Sequence, residues 1–360
     1  MMEKKILLVG PLPPPITGVT LANRVVRDNL EATSGFKLTT INTSLNSFEG
    51  IGSFSLSKLW FYIRLNILAF KTIGHDIIYI VPGQTFYGVT KFAGFILLGS
   101  LSRKRIIQHI HGNHLGRQYT QLSGWKKSVF HYLLSKTETG IVLSESLKPN
   151  FTAFIDEDHI KPLYNFAEDS LFEPLQTNVE GPTLRITYLS NLMEEKGIHD
   201  LLDALLELEG NGMDYEARIA GNIANDDRLL IKQKLDQLKN TTYIGVIDLQ
   251  AKVELLNWSN VFILPTYYIM EGQPISILEA MATGNVILTT DHAGIPDIFI
   301  DSLNGFYVEK RSPRSIVTTL TRLQNDPSLI TGISKQNRKE AGKKYRVANF
   351  TANLIKILND

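Results

Sequence analysis

Short runs rich in isoleucine and valine recur along the chain with helical stretches between them, and this alternation limits the folds open to it. The first half carries "KKILLVG", "HDIIYIV", "KRIIQHIHG" and "GIVLS"; the second carries "LRITYLS", "YEARIAG", "TTYIGVI", "NVFILP" and "NVILTT". Their apolar character is continuous rather than alternating, which predicts strands covered on both faces, as in parallel sheets with helices on either side. The fold class is therefore α/β, with doubly wound parallel sheets.

A chain of 360 residues is long for one core, so two domains are expected. The stretch "YNFAEDSLFEPLQTNVEGPTL", residues 164–184, is polar, acidic and without a sustained period, and reads as a linker. The expected division is 1–165, 166–340, and a helical segment 341–360 that returns to the N-terminal domain.

With 37 basic and 36 acidic side chains the formal net charge is +1, which gives no reason to expect nucleic acid as a partner. The absence of cysteine excludes disulfides and thiolate chemistry. "FAGFILLGSLS", from Phe92, is too short to span a bilayer, and Ile6 to Gly10 reads as a first strand rather than a signal core. The expected location is cytoplasmic.

Four stretches carry candidate chemistry. "GPLPPPITGVTLANRVVRDNL" follows the first strand and opens a helix; its Gly18 permits close approach of a ligand, and the helix N-terminus suits an anion. A rigid turn with no ligand explains it equally well. "HIHGNHLG" ends a strand with His109 and His111 on one face. A third metal ligand at suitable spacing is missing, so one histidine as a polar contact or proton donor is the better reading. "YLSNLMEEKGIHDLLDAL" places Lys196 where a strand gives way to a helix, a position suited to phosphate, although a solvated lysine fits as well.

The fourth is "YIMEGQPISILEAMATGNVILTT", residues 268–290. Pro274 suits a helix start and Gly284 its end, predicting a helix over about 274–283. Glu271 then lies outside the helix and Glu279 within it, on the order of 10 Å apart, more like two holds on one long ligand than a hydrolytic pair. By contrast, the D-x-D at Asp156 to Asp158 lies in a polar stretch and reads as a solvated turn.

Taken together these motifs resemble the retaining glycosyltransferases of family 4, which have the GT-B architecture: two Rossmann-like domains facing across a crevice. "EGQPISILE", residues 271–279, is similar to the family's E-x7-E motif, and "NVFILPT", "AMATGNVIL", "HAGIPDIF" and "NGFYV" follow the family's order. The resemblance implies that Glu279 holds the ribose hydroxyls of a nucleotide and Glu271 the hydroxyls of the donor sugar. Gly272 and the backbone from Gln273 through Pro274 and Ile275 to Ser276 would meet the sugar and diphosphate, and Asn191 would also border the donor. Lys196 matches a phosphate-binding lysine, Gly18 a phosphate-side glycine, His111 the histidine near the transferred sugar, and Tyr243 with Gly245 the base pocket. Two departures stand out. The family's G-R-L reads Ser190, Asn191 and Leu192, which removes an arginine, and its E-G-F-G reads Glu271, Gly272, Gln273 and Pro274, which alters the sugar pocket.

The implied reaction is transfer of a sugar from a nucleotide diphosphate donor, UDP-sugar over GDP-sugar, to a saccharide or lipid-linked saccharide hydroxyl with retention, without metal or cofactor, in cell-surface polysaccharide or glycoconjugate synthesis. His111, Lys196 and Glu271 are the catalytic candidates. "LSKLWFYIRLNILAFK" and "GWKKSVFHYLLSK" mix basic and large apolar residues, which fits peripheral contact with the inner face of the cell membrane or ordinary packed amphipathic helices. A nucleotide-sugar-binding subunit without turnover, or an epimerase of the same architecture, are the alternatives.

Overall fold

The computed structural model describes residues 3–44, 56–173, 183–224 and 227–360. The chain divides into two compact units: one holds residues 1–164, 270–273 and 351–360, the other 165–269 and 274–350.

The first unit is built on six parallel strands in the order β2-β1-β3-β4-β5-β6. They are β1 (Lys4–Gly10), β2 (Phe36–Asn42), β3 (Ile77–Ile80), β4 (Arg105–His109), β5 (Thr139–Val142) and β6 (Ile160–Pro162). Six helices accompany them: α1 (Gly18–Ala32), α2 (Leu56–Ile67), α3 (Phe86–Thr90), α4 (Ala93–Leu101), α5 (Leu115–Gln121) and α6 (Gly124–Leu134). β3 and β5 are buried along their whole length, as their unbroken apolar runs require. β2, "FKLTTIN", is an edge strand, largely half-buried or exposed. Its mixed polar character follows from that position and hides it from a search for apolar runs. Leu7, Val9, Ile78, Phe95, Ile106 and Phe130 belong to one buried cluster.

In the second unit the order is β12-β11-β10-β7-β8-β9. The strands are β7 (Leu184–Leu189), β8 (Tyr215–Ala220), β9 (Thr241–Gly245), β10 (Val261–Leu264), β11 (Val286–Thr289) and β12 (Gly305–Tyr307). The helices are α7 (Ile198–Gly210), α8 (Arg228–Leu235), α9 (Leu249–Trp258), α10 (Ile275–Ala282), α11 (Pro313–Asn325) and α12 (Pro327–Lys344). In α7, Ile198, Leu201, Leu202, Leu205 and Leu208 fall on one stripe and are buried, and α7 packs against α11, whose Ile316, Leu320 and Leu323 do the same. Each such side chain contributes roughly 1.5–3 kcal/mol by leaving water. A last helix, α13 (Val347–Asn359), begins in the second unit, and its residues from Thr351 onward belong to the first. Arg105 donates to the carbonyls of Ile357 and Leu358, and Lys4 donates to that of Leu358, tying the helix end down.

The stretch expected as a linker is only partly one. Asn165, Phe166, Ala167 and Leu171 are buried in the second unit, where the Ala167 N–H donates to Tyr345; residues 174–182 lie outside the described ones. A few apolar side chains without a period are enough to anchor a segment when a neighbouring strand or helix supplies the partners.

Each sheet reverses its winding once, between β1 and β3 and between β7 and β10. Ligands in sheets of this kind bind outside the carboxyl ends of the strands at such a point.

Candidate active site

In the second unit the candidate residues gather at the carboxyl ends of β7 to β10. The buried Tyr188 hydroxyl donates to the Asn191 carbonyl at 3.0 Å and to that of Lys196 at 3.4 Å, fixing the turn that follows β7. Gly197 takes φ +76°, and a β-carbon there would stand 2.5 Å from the Pro265 carbonyl oxygen. Only glycine lets the turn approach the end of β10 so closely. Lys196 Nζ lies 5.2 Å from the centre of the Tyr268 ring, while the Tyr267 N–H donates to Glu195. Asn191 is exposed.

Ser190, Gly221 and Gly245 adjoin one another. Gly221 donates to the Gly245 carbonyl and takes φ +139°, with the Ser190 carbonyl where a side chain would go. The Tyr243 hydroxyl donates to the Gly221 carbonyl at 2.8 Å. The two expected base-pocket residues therefore sit beside the loop that carries Asn191.

Helix α10 is one residue shorter at each end than the sequence predicts: Pro274, whose ψ of 118° is extended, is its N-cap, and Thr283 is its C-cap. Pro274 and Ile275 are buried and Ser276 is half-buried. Glu279 is 3% exposed and accepts a short hydrogen bond from Lys252 of α9, which also stands 3.7 Å from Glu168. Burial pushes the Glu279 carboxyl above the usual range, and Lys252 opposes that rise. Neither Lys252 nor Glu168 was signalled by any motif; the only hint is a lysine in the otherwise largely apolar run "AKVELLNW".

In the first unit, Thr17 caps α1 by accepting from the Thr20 N–H, and the adjoining Gly18 is exposed with nothing near the position of a β-carbon. No contact among the described residues requires glycine there. At the end of β4, the rings of His109 and His111 lie with centroids 4.0 Å apart and planes tilted by 37°, and Tyr79 shares a 2.6 Å hydrogen bond with His109 Nδ1. Nε2 of each histidine has no hydrogen-bond partner among the described residues. Burial lowers both imidazoles, that of His111 to about 3, and the neighbouring His111 lowers His109 further. Both are neutral at physiological pH.

Residues 270–273 pack against the same strand ends. Gln273 Nε2 donates to the Leu143 carbonyl at 3.1 Å, and a β-carbon on Gly272 would come within 3.0 Å of the Gly112 α-carbon and the His111 carbonyl. Glu271 is buried beside them. The E-x7-E stretch is thus divided: Glu271, Gly272 and Gln273 group with the unit that holds His111, whereas Pro274 to Glu279 group with the other.

The D-x-D residues lie in an exposed 3-10 turn. Among the described residues no three His, Asp or Glu side chains are arranged to hold a metal ion, and no helix is long and apolar enough to cross a membrane. The first unit does carry an unusual surface. Trp60, Ile67 and Phe70, Leu101 of α4, and Trp125 and Tyr132 of α6 are all exposed, and between Asp76 and Glu138 the sequence has eight Lys and Arg and no acidic residue.

Two parallel six-stranded α/β units define the class as GT-B, and a crystal structure of Anabaena Alr3699/HepE in complex with UDP-glucose superposes with TM-score 0.75 at 15% identity over 99% of each chain. Residues 172–345, just under half of the chain, match the family model described as Glycosyl transferases group 1. Similar curated proteins include the capsular polysaccharide biosynthesis glycosyltransferase CapM of Staphylococcus aureus, 26% identical over 44% of this chain and 42% of that one. The uncharacterized glycosyltransferase MJ1607 of Methanocaldococcus jannaschii is 24% identical over 75% and 73%. The matched stretches span less than half the length of the first curated relatives.

Proposed function

We propose that the protein is a retaining glycosyltransferase that moves a sugar from a nucleotide diphosphate-sugar, UDP-sugar over GDP-sugar, to a hydroxyl of a saccharide or lipid-linked saccharide in cell-surface polysaccharide synthesis. The observation that carries this reading is Glu279: a carboxylate 3% exposed on a helix that starts after the strand at the winding reversal. Burying a carboxylate is costly unless it is paired and put to use. In this reading it accepts the ribose hydroxyls, Tyr243 and Gly245 border the base, and Glu271 with Gln273 meets the donor sugar. The UDP-glucose held by HepE and the capsular role in the name of CapM support the substrate class.

The glycosidic bond to the phosphate oxygen breaks as the acceptor oxygen bonds to the anomeric carbon on the same face. The acceptor proton passes to the departing phosphate oxygen. Lys196 and the N–H groups at the start of α10 stabilise the charge that develops on the diphosphate; Asn191, in place of an arginine, adds no charge. His111, held neutral by burial, offers the unpartnered Nε2 to a sugar hydroxyl as a neutral hydrogen-bonding group. Gly18 leaves space for the phosphate side of the ligand.

We further assign the exposed apolar and aromatic side chains of the first unit, among them Trp60, Leu101 and Trp125, to contact with an anionic membrane surface, where a lipid-linked acceptor resides. Two assays test these assignments. Thermal-shift binding against uridine and guanosine diphosphate sugars should show stabilisation by the uridine series; absence of any nucleotide effect would sink the transferase reading. Sedimentation with phosphatidylglycerol-containing vesicles, but not with phosphatidylcholine alone, should be lost in Trp60→Glu/Trp125→Glu. Equal recovery with both vesicle types would remove the membrane assignment.

A further inference from the structure

Lys252 stands between two carboxylates. It donates to Glu279 Oε1 and lies 3.7 Å from Glu168 Oε2, with both acids and the lysine largely removed from water. Each partner comes from a different element: α9, α10 and the segment before the 169–172 turn. Such a cluster is poorly explained by stability, since the cost of desolvating buried ions roughly cancels their attraction. Ribose recognition gives it a purpose. A carboxylate accepts hydrogen bonds from two hydroxyls, whereas a protonated carboxyl has one oxygen committed as a donor.

We propose that Lys252 is a positioning residue for donor binding: it holds Glu279 ionised and in one orientation, and Glu168 fixes the ammonium from the other side. This rests on the reading that Glu279 binds the nucleotide ribose. Lys252 and Glu168 are the charged groups acting on Glu279. Losing the first lets burial and the second act unopposed, both of which favour protonation.

The test is calorimetric titration with UDP from pH 6 to pH 9 for the wild type, Lys252→Met, Lys252→Arg, Glu168→Gln and Glu279→Gln, each first shown to be folded by its melting transition. Lys252→Met should bind at least tenfold more weakly at pH 7 and recover part of that loss as pH rises, because Glu279 then ionises without help. Lys252→Arg should stay within a few fold of the wild type. Glu279→Gln should be weak without recovery at high pH, and adding Lys252→Met to it should cost little more, the non-additivity expected of coupled residues. If Lys252→Met keeps the wild-type affinity and pH profile while Glu279→Gln does not, the positioning role is wrong and the ribose assignment survives. If the wild type itself binds no UDP, the ribose assignment fails and this inference with it. Should Lys252→Met not fold, Glu168→Gln decides: by freeing the ammonium it should change affinity or its pH profile, and an unchanged profile overturns the proposal.

Discussion

The imidazoles of His109 and His111 lie 4.0 Å apart, tilted by 37° at the end of β4, and burial keeps both uncharged. Their folded pKa values are lowered, so below the unfolded value of about 6.5 the unfolded chain binds protons that the folded chain does not. Stability should therefore fall as pH drops through 6.5 and continue falling toward 3, by up to about 1.4 kcal/mol per pH unit for each imidazole. Urea midpoints at pH 7.5 and 5.5 measure this. His109→Gln should flatten the dependence, and an unchanged slope in that variant would show that other groups control it.

Glu279→Gln keeps the shape of the side chain but removes the charge. Loss of charge-assisted hydrogen bonds to a ribose should raise the donor KM by roughly tenfold to a hundredfold. A KM unchanged from the wild type, measured by release of the nucleoside diphosphate, would move ribose binding elsewhere.

Gly221 has φ +139°, and its β-carbon would fall 1.8 Å from the Ser190 carbonyl oxygen. Gly221→Ala should cost on the order of 2 kcal/mol. It should also weaken nucleotide binding, since the same displacement moves the Asn191 loop and the Gly245 turn. Denaturant unfolding combined with a nucleotide titration checks both effects.

Arg105 ties the end of α13 to the first unit through the carbonyls of Ile357 and Leu358, where a cation also complements the helix C-terminus. Arg105→Ala should destabilise by about 2 kcal/mol. Arg105→Lys should recover only part, because lysine lacks the planar fork that reaches two carbonyls at once. Equal stabilities for all three proteins would mean that the helix is held by its apolar face alone.

All nine apolar runs quoted from the sequence are strands in the structure; eight lie inside the sheets, where cover on both faces favours apolar residues, whereas β9 is an edge strand that leaves Thr242, Tyr243 and Ile244 exposed. β2, β6 and β12 are not among them: all three are sheet edges, where polar or short segments suffice. The turn at Gly284 was legible for a related reason. Positive φ leaves a mark on residue type that does not depend on distant partners.

The sequence by itself determined the parallel α/β class, the limits of α10 to within a residue, and the stretch that carries Glu279, since strand burial, capping and loop chemistry are written in adjacent residues. Only the tertiary structure decided that Lys252, 27 positions away, pairs with Glu279, that Glu168 faces the same ammonium, and that Tyr79 bonds to His109 from 30 positions away. It also decided which of the two units holds Glu271. Whether a carboxyl is charged or an imidazole neutral depends on the water it has lost and the charges it has gained, and both are supplied by segments that meet only when the chain is folded.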